Sequence, residues 1–205
     1  MRFVKLLQAL VAVAALSHVC ATMAQSDPWA ASYRLEKSGQ YADAFAAIAP
    51  LLAREPGNEF AVMRSAWLLY LQGKHAEAEN RYQRAAQLNS HSMEAVLGMM
   101  LAQMGQYRWA DAMKAGRKVL EQSRWDYTAH VRIMICEEAM SRWGELAKHA
   151  SDVAARYPTD ATVLVYWARA EAALRNTSKA RKLYGQVLER IPEHLEAIKY
   201  VRSSP

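Results

Sequence analysis

The sequence predicts an all-helical solenoid of about five helix-turn-helix units, closed by a C-terminal half-unit. Three observations carry that fold class. Short turn-like segments, Gly39-Gln40-Tyr41, Gly73-Lys74-His75, Gly105-Gln106-Tyr107, Ser141-Arg142-Trp143 and Arg175-Asn176-Thr177, begin 34, 32, 36 and 34 residues apart, a mean step of 34. Three residues after each segment stands a small or apolar side chain: Ala44, Ala78, Ala110, Leu146 and Ala180. Proline or a polar substitute then closes each unit, at Pro56, Ser90, Gln122, Pro158 and Pro192. Self-similarity at this period marks a two-helix unit that buries its apolar face only against its neighbours.

The first residues stand apart from the repeats. A basic start, Met1-Arg2-Phe3-Val4-Lys5, leads into an apolar run from Leu6 to Leu16 and ends in small residues at Ala21-Thr22-Met23-Ala24. That order is expected of a removable secretory signal at residues 1–24, cut after Ala24 or after Ala21. The run is too short for the roughly 20 residues of a membrane-spanning helix. Cleavage leaves 24 basic against 20 acidic side chains, a net charge of +4, with Cys136 as the one cysteine. An exported chain with one cysteine makes no internal disulfide, so its stability has to come from packing. Cys136 lies among Ile133, Met134 and Ile135, which predicts a buried structural thiol. The interspersed charges and the export signal argue against nucleic acid as a partner.

The repeat units fall at residues 25–58, 59–92, 93–126, 127–160 and 161–194, followed by a capping segment at 195–205. In the first, Asp27-Pro28 caps and opens a helix, and Pro50 interrupts the second helix, where a kink is expected. The second has Val62, Ala66 and Leu69 before its turn and Ala78, Tyr82 and Ala85 after it, at helical spacing. The third reads as two residues short in its first helix, with Lys114 and Arg117 where apolar residues are expected. Its methionines, Met93, Met99, Met100, Met104 and Met113, are expected to fill an irregular core. The fourth has Met134 and Leu146 at positions where other units have Ala, which predicts irregular stacking. The fifth starts at Asp160 and carries Leu164, Trp167, Ala168, Ala180, Leu183, Tyr184 and Val187. The paired alanines Ala66 with Ala78 and Ala168 with Ala180 let two helices approach closely. Leu195 to Val201 reads as the half-unit that covers the last apolar face.

These residues resemble the tetratricopeptide repeat family. The resemblance rests on Ala66, Gly73, Ala78, Tyr82 and Ala85 in the second unit, on Ala168, Ala180, Tyr184 and Pro192 in the fifth, and on Gly39, Tyr41, Ala44 and Pro56 in the first. It implies a right-handed superhelix whose first helices line a concave face. Carried onto this chain, the family's groove positions are Trp29, Tyr33, Phe60, Met63, Arg64, Trp67, Tyr70, Arg132, Tyr166 and Arg169, together with Val131, Ile135, Glu138 and Val165. Arg64, Trp67 and Tyr70 are three apart and form one stripe. Such a stripe is expected to stack on an apolar anchor and pair a carboxylate in a ligand.

Searches for chemistry turn up nothing. The sequence has no His-Glu-x-x-His pattern, phosphate-binding glycine loop or Cys-x-x-Cys pair. The five histidines left after cleavage, His75, His91, His130, His149 and His194, fall in separate helices or turns, without metal-ligand spacing. His130 and Cys136, six apart on one helix, point in different directions. No enzyme activity, cofactor or metal is therefore expected. The resemblance implies a non-catalytic scaffold or adaptor in the bacterial periplasm, holding a protein or peptide partner and without a membrane span after cleavage. Self-association into a homo-oligomer and glycan binding in exopolysaccharide export are the alternatives.

Overall fold

The computed structural model describes residues 27–203; the expected signal at 1–24 lies outside them. Among the described residues there are eleven helices and no strand: α1 (Pro28–Lys37), α2 (Tyr41–Arg54), α3 (Glu59–Leu71), α4 (His75–Leu88), α5 (Met93–Gly105), α6 (Trp109–Gln122), α7 (Tyr127–Ala139), α8 (Trp143–Arg156), α9 (Ala161–Ala173), α10 (Thr177–Arg190) and α11 (Leu195–Ser203). They form five antiparallel hairpins and a final single helix. Each helix packs on the next, and the first helices of successive middle units also touch one another. That asymmetry curves the stack and puts α3, α5, α7 and α9 on its inner face.

Two local devices repeat along the chain. Each first helix has a side-chain cap: Asp27 accepts from the Trp29 N–H at 3.1 Å, Asn58 from Ala61 at 3.0 Å, Asp126 from Ala129 at 2.7 Å and Asp160 from Val163 at 2.9 Å. Ser92 does the same for α5 at 3.4 Å, and His194 Nδ1 accepts from Ala197 at 3.3 Å. Such caps satisfy donors that a helix start leaves open. The turn inside each hairpin places one residue at positive φ: Gly39 (77°), Gly73 (75°), Tyr107 (59°), Ser141 (55°) and Arg175 (63°). The following N–H reaches back to close the helix end, as Lys74 does to the Leu69 carbonyl at 3.0 Å and Arg108 to Gln103 at 3.0 Å.

These markers correct the register of the third unit. The positive-φ residues and the starts of the second helices both recur every 34 residues, so the third turn is Tyr107-Arg108-Trp109. Helix α5 has 13 residues, as do α3, α7 and α9, and is not two short. The residue at the close contact is then Ala112, not Ala110, and the aromatic and small positions held to be Lys114 and Arg117 become Gly116 and Val119. Arg124 takes the closing position that was assigned to Gln122. Gly105-Gln106-Tyr107 imitates the turn only in composition. Pro50 lies on the exposed side of α2, which runs through it as one helix.

With that register, each hairpin closes on one pair of fully buried residues: Ser32 and Ala44, Ala66 and Ala78, Met100 and Ala112, Met134 and Leu146, Ala168 and Ala180, all 0% exposed. Met100 and Met113 are buried, and Met93, Met99 and Met104 pack half-buried on the same cluster, so the methionines of the third unit serve its core. Met134 and Leu146 are both large, and the hairpin of α7 and α8 packs more loosely than the others. Cys136 is fully buried, and burial pushes its thiol up to about 12, which agrees with a structural role.

Two glycines separate space from propensity. A Cβ added at Gly98 in α5 would lie 2.2 Å from the Tyr82 ring, whereas one added at Gly185 in α10 meets nothing within 4 Å. Gly185→Ala should therefore stabilise by about 1 kcal/mol through helix propensity. Gly98→Ala should destabilise by about 1–3 kcal/mol through overpacking. Urea unfolding of the two variants checks the opposite signs.

Candidate partner-binding groove

The concave face is built from side chains that the first helices turn away from their own hairpins. At its N-terminal end, Trp29 of α1 meets Phe60 of α3 with ring centroids 4.9 Å apart. Phe60 is 53% exposed and Tyr33 48%. Trp67 stacks on Tyr70 at 5.6 Å, and Tyr70 meets His75 at 5.0 Å. Met63 packs with Val62, Ala85 and Ala95, so it serves the contact between units.

Arg64 departs from the expected stripe. It is 6% exposed, lies 3.9 Å from the Tyr33 ring centroid and donates to Ser32 Oγ at 3.0 and 3.2 Å. It also pairs with Glu36, whose other oxygen accepts from Trp67 Nε1 at 2.6 Å. Arg64 and Trp67 thus clamp one α1 carboxylate, and the guanidinium is committed within the chain. The hollow over this clamp, about 640 Å³, is lined by Tyr33, Glu36, Lys37, Tyr41, Arg64, Trp67 and Leu71.

The C-terminal end repeats the arrangement with other residues. Arg169 of α9 holds Glu196 of α11 at 2.6 and 2.8 Å and reaches Glu138 of α7 at 3.4 Å. Tyr166 lies under that guanidinium at 5.5 Å, and Tyr184 donates to Glu196 at 2.6 Å. The hydrogen bond from Arg169 is the main reason Glu196 sits below the usual carboxylate range. The carboxylate expected for Arg64 from a ligand is supplied by Glu36 of the same chain, and Arg169 is likewise paired with Glu138 and Glu196. Arg132 differs: its Nη1 donates to the Leu97 carbonyl at 2.6 Å. In the corrected register the half-buried Leu97 and Leu101 of the third unit fall at groove positions.

A polar chain lies inside the fourth hairpin. His130 Nε2 faces the Arg124 carbonyl at 3.0 Å, His130 Nδ1 faces His149 Nε2 at 2.9 Å, and His149 Nδ1 faces Glu137 Oε2 at 2.9 Å. The carbonyl fixes the proton of His130 on Nε2, so His149 donates to His130 Nδ1. The last link closes with one proton between His149 and Glu137. These residues stand apart in the sequence. The hairpin brings together His130 and His149, 19 residues apart. Among the described residues, no group of three or more His, Cys, Asp or Glu side chains is arranged to hold a metal ion. No helix there is long and apolar enough to cross a membrane.

Solved structures share this architecture. YrrB, described as a tetratricopeptide-repeat protein with an unusual peptide-binding site, is 14% identical with a TM-score of 0.68, over 83% of this chain and 88% of its own. The chain has the tetratricopeptide-repeat fold. PilW, a widely conserved type IV pilus biogenesis factor, is 17% identical with a TM-score of 0.70, over 85% of this chain and 84% of its own. MamA from Desulfovibrio magneticus RS-1 is 11% identical with a TM-score of 0.71, over 80% and 93%. No family model and no curated protein matches the chain. Tetratricopeptide-repeat folds are in general protein-interaction scaffolds.

The buried groups set a pH dependence. Burial, against the opposing Arg124 carbonyl, holds His130 below its ordinary value. The unfolded chain therefore protonates first, and stability should fall as pH drops through the ordinary histidine range. Glu196 is held low, and so is Glu171, where bonds from Lys179, Asn176 and Trp167 outweigh burial; these add a second loss below the carboxylate range. Melting temperatures from pH 7.5 to 5.5 should decline in the wild type. They should decline less steeply in His130→Leu.

Proposed function

We propose that this chain is a non-catalytic scaffold of the bacterial cell envelope that holds a peptide or protein segment in its concave groove. The observation that carries this reading is the aromatic and aliphatic lining of the first helices. Phe60 and Tyr33 stand about half exposed at one end of the groove, and Leu97, Leu101, Val131 and Ile135 continue it half-buried. Exposed large apolar groups in a continuous face mark interaction sites, and aromatic anchors carry much of the binding energy at such sites. The second helices present charge instead, with Arg81, Arg84, Lys114, Arg117 and Lys118 exposed on α4 and α6. The likeness to YrrB, with its peptide-binding site, and to PilW, a pilus biogenesis factor, supports a peptide partner and an envelope setting.

Envelope placement also rests on the basic start and apolar run of residues 1–24. N-terminal sequencing of the protein from an envelope fraction should return Gln25, or Thr22 for the alternative cut. Intact Met1 would refute export by cleavage. Binding is tested with a photo-crosslinking residue placed in turn at Phe60, Ile135 and Arg117. Partner adducts should form from Phe60 and Ile135 and be absent at Arg117. Adducts confined to Arg117 would move the binding face to the second helices, and adducts to a second copy of this chain would favour self-association.

A further inference from the structure

In the middle of the groove stands a guanidinium, that of Arg132, which makes no ion pair among the described residues. Of the three groove arginines, Arg64 has Glu36, and Arg169 has Glu138 and Glu196. Arg132 reaches from α7 across α5, and among the described residues its one hydrogen-bond acceptor is the Leu97 carbonyl. Its Nε and Nη2 have no acceptor there. Asp126 acts on it through its charge alone, while its Oδ1 accepts from the Ala129 N–H at the cap of α7. Burial holds the guanidinium below its ordinary value, against the influence of the Tyr82 and Tyr70 phenols nearby.

The surroundings explain why a cation stands here. Gly98 leaves a gap on the side of α5 that meets α4, and the Tyr82 ring of α4 packs into it, where any Cβ at 98 would clash. Tyr82 and Tyr70 belong to one cluster at this point of the wall. Leu97, Leu101, Val131 and Ile135, all half-buried, flank it on both sides. A partly dehydrated guanidinium without a partner is unfavourable, and it becomes favourable when a ligand brings the opposite charge. Phenol hydroxyls add neutral donors to the same spot.

Resting on the groove reading above, we propose that Arg132, beside Tyr82 and Tyr70, anchors a single carboxylate that a partner polypeptide carries between apolar side chains. One guanidinium edge without an acceptor calls for one carboxylate, and aliphatic walls on both sides call for apolar neighbours in the bound segment. Bidentate pairing to the free Nε and Nη2 edge fits a carboxylate side chain of Asp or Glu.

The test uses two synthetic peptides, acetyl-Ala-Leu-Glu-Leu-Ala-amide and its Gln counterpart, with inorganic phosphate as the simple-anion control. Binding is read on the purified protein by NMR at the Arg132 Nε–H and the Ile135 methyl groups. The Glu peptide should shift both signals and bind at least tenfold more tightly than the Gln peptide. Arg132→Gln should remove that preference and keep the wild-type melting temperature. The peptide comparison needs no variant, so a folding defect in Arg132→Gln leaves it decisive. Equal binding of the two peptides with Ile135 shifts would overturn the anchor and leave the groove reading standing. Phosphate shifting Arg132 while neither peptide moves Ile135 would mean an adventitious ion only, and would overturn it too. Silence from all three probes also defeats the anchor, while crosslinking from Phe60 and Ile135 decides the groove independently.

Discussion

Two helices that run side by side can come only as close as the side chains between them permit. In this array that limit is set once per hairpin, by one residue from each helix, all of them withdrawn from solvent. Alanine at both positions, as in the second and fifth units, lets larger neighbours such as Tyr82 and Tyr184 interlock around the contact. Because the next unit packs on the surface so formed, the spacing inside one hairpin fixes where the following first helix sits. The 34-residue recurrence of the left-handed turn residues, and of the caps from Asn58 onward, keeps that geometry in phase along the chain.

The fourth unit shows what happens when the limit is relaxed. Met134 and Leu146 hold α7 and α8 apart, and the space between them contains a histidine pair and a carboxylate in addition to aliphatic side chains. His130 stands where the second, third and fifth units have Val62, Val96 and Leu164, all buried. A polar chain in that place is tolerated because each member finds a partner, from the Arg124 carbonyl through to Glu137.

Period, helix content and most of the buried pairs could be read from the sequence, since each depends on residues close in the chain or at one repeat distance. The third turn could not. Glycine and tyrosine at 105 and 107 look like the Gly-x-Tyr of the first unit, while the true turn places Tyr107 itself at positive φ, a conformation that composition does not announce. Candidate groove positions were readable from the repeat register. Their commitments were not, because the partners of Arg64 stand 28 and 32 residues away on another helix, and those of Arg169 are 27 and 31 away. Helical spacing says which way a side chain points and nothing about what waits there. Tyr82 was readable as a core aromatic, but its place beside Arg132 depends on Gly98, whose register came only with the corrected turn.

The unequal lacing of the first helices has a mechanical consequence. Ionic clasps tie α1 to α3 and α7 through α9 to α11, whereas among the described residues α3, α5 and α7 are joined by apolar packing and the single Arg132 bond. Charge pairs resist sliding because they lose energy with small displacements, while methionine thioethers repack at little cost. Among the first helices, then, the two ends are laced by charge and the middle by apolar contact, so that α5 parts the array into two laced arms. A segment seated in the middle would draw the arms together, and its length would set how tightly the superhelix coils.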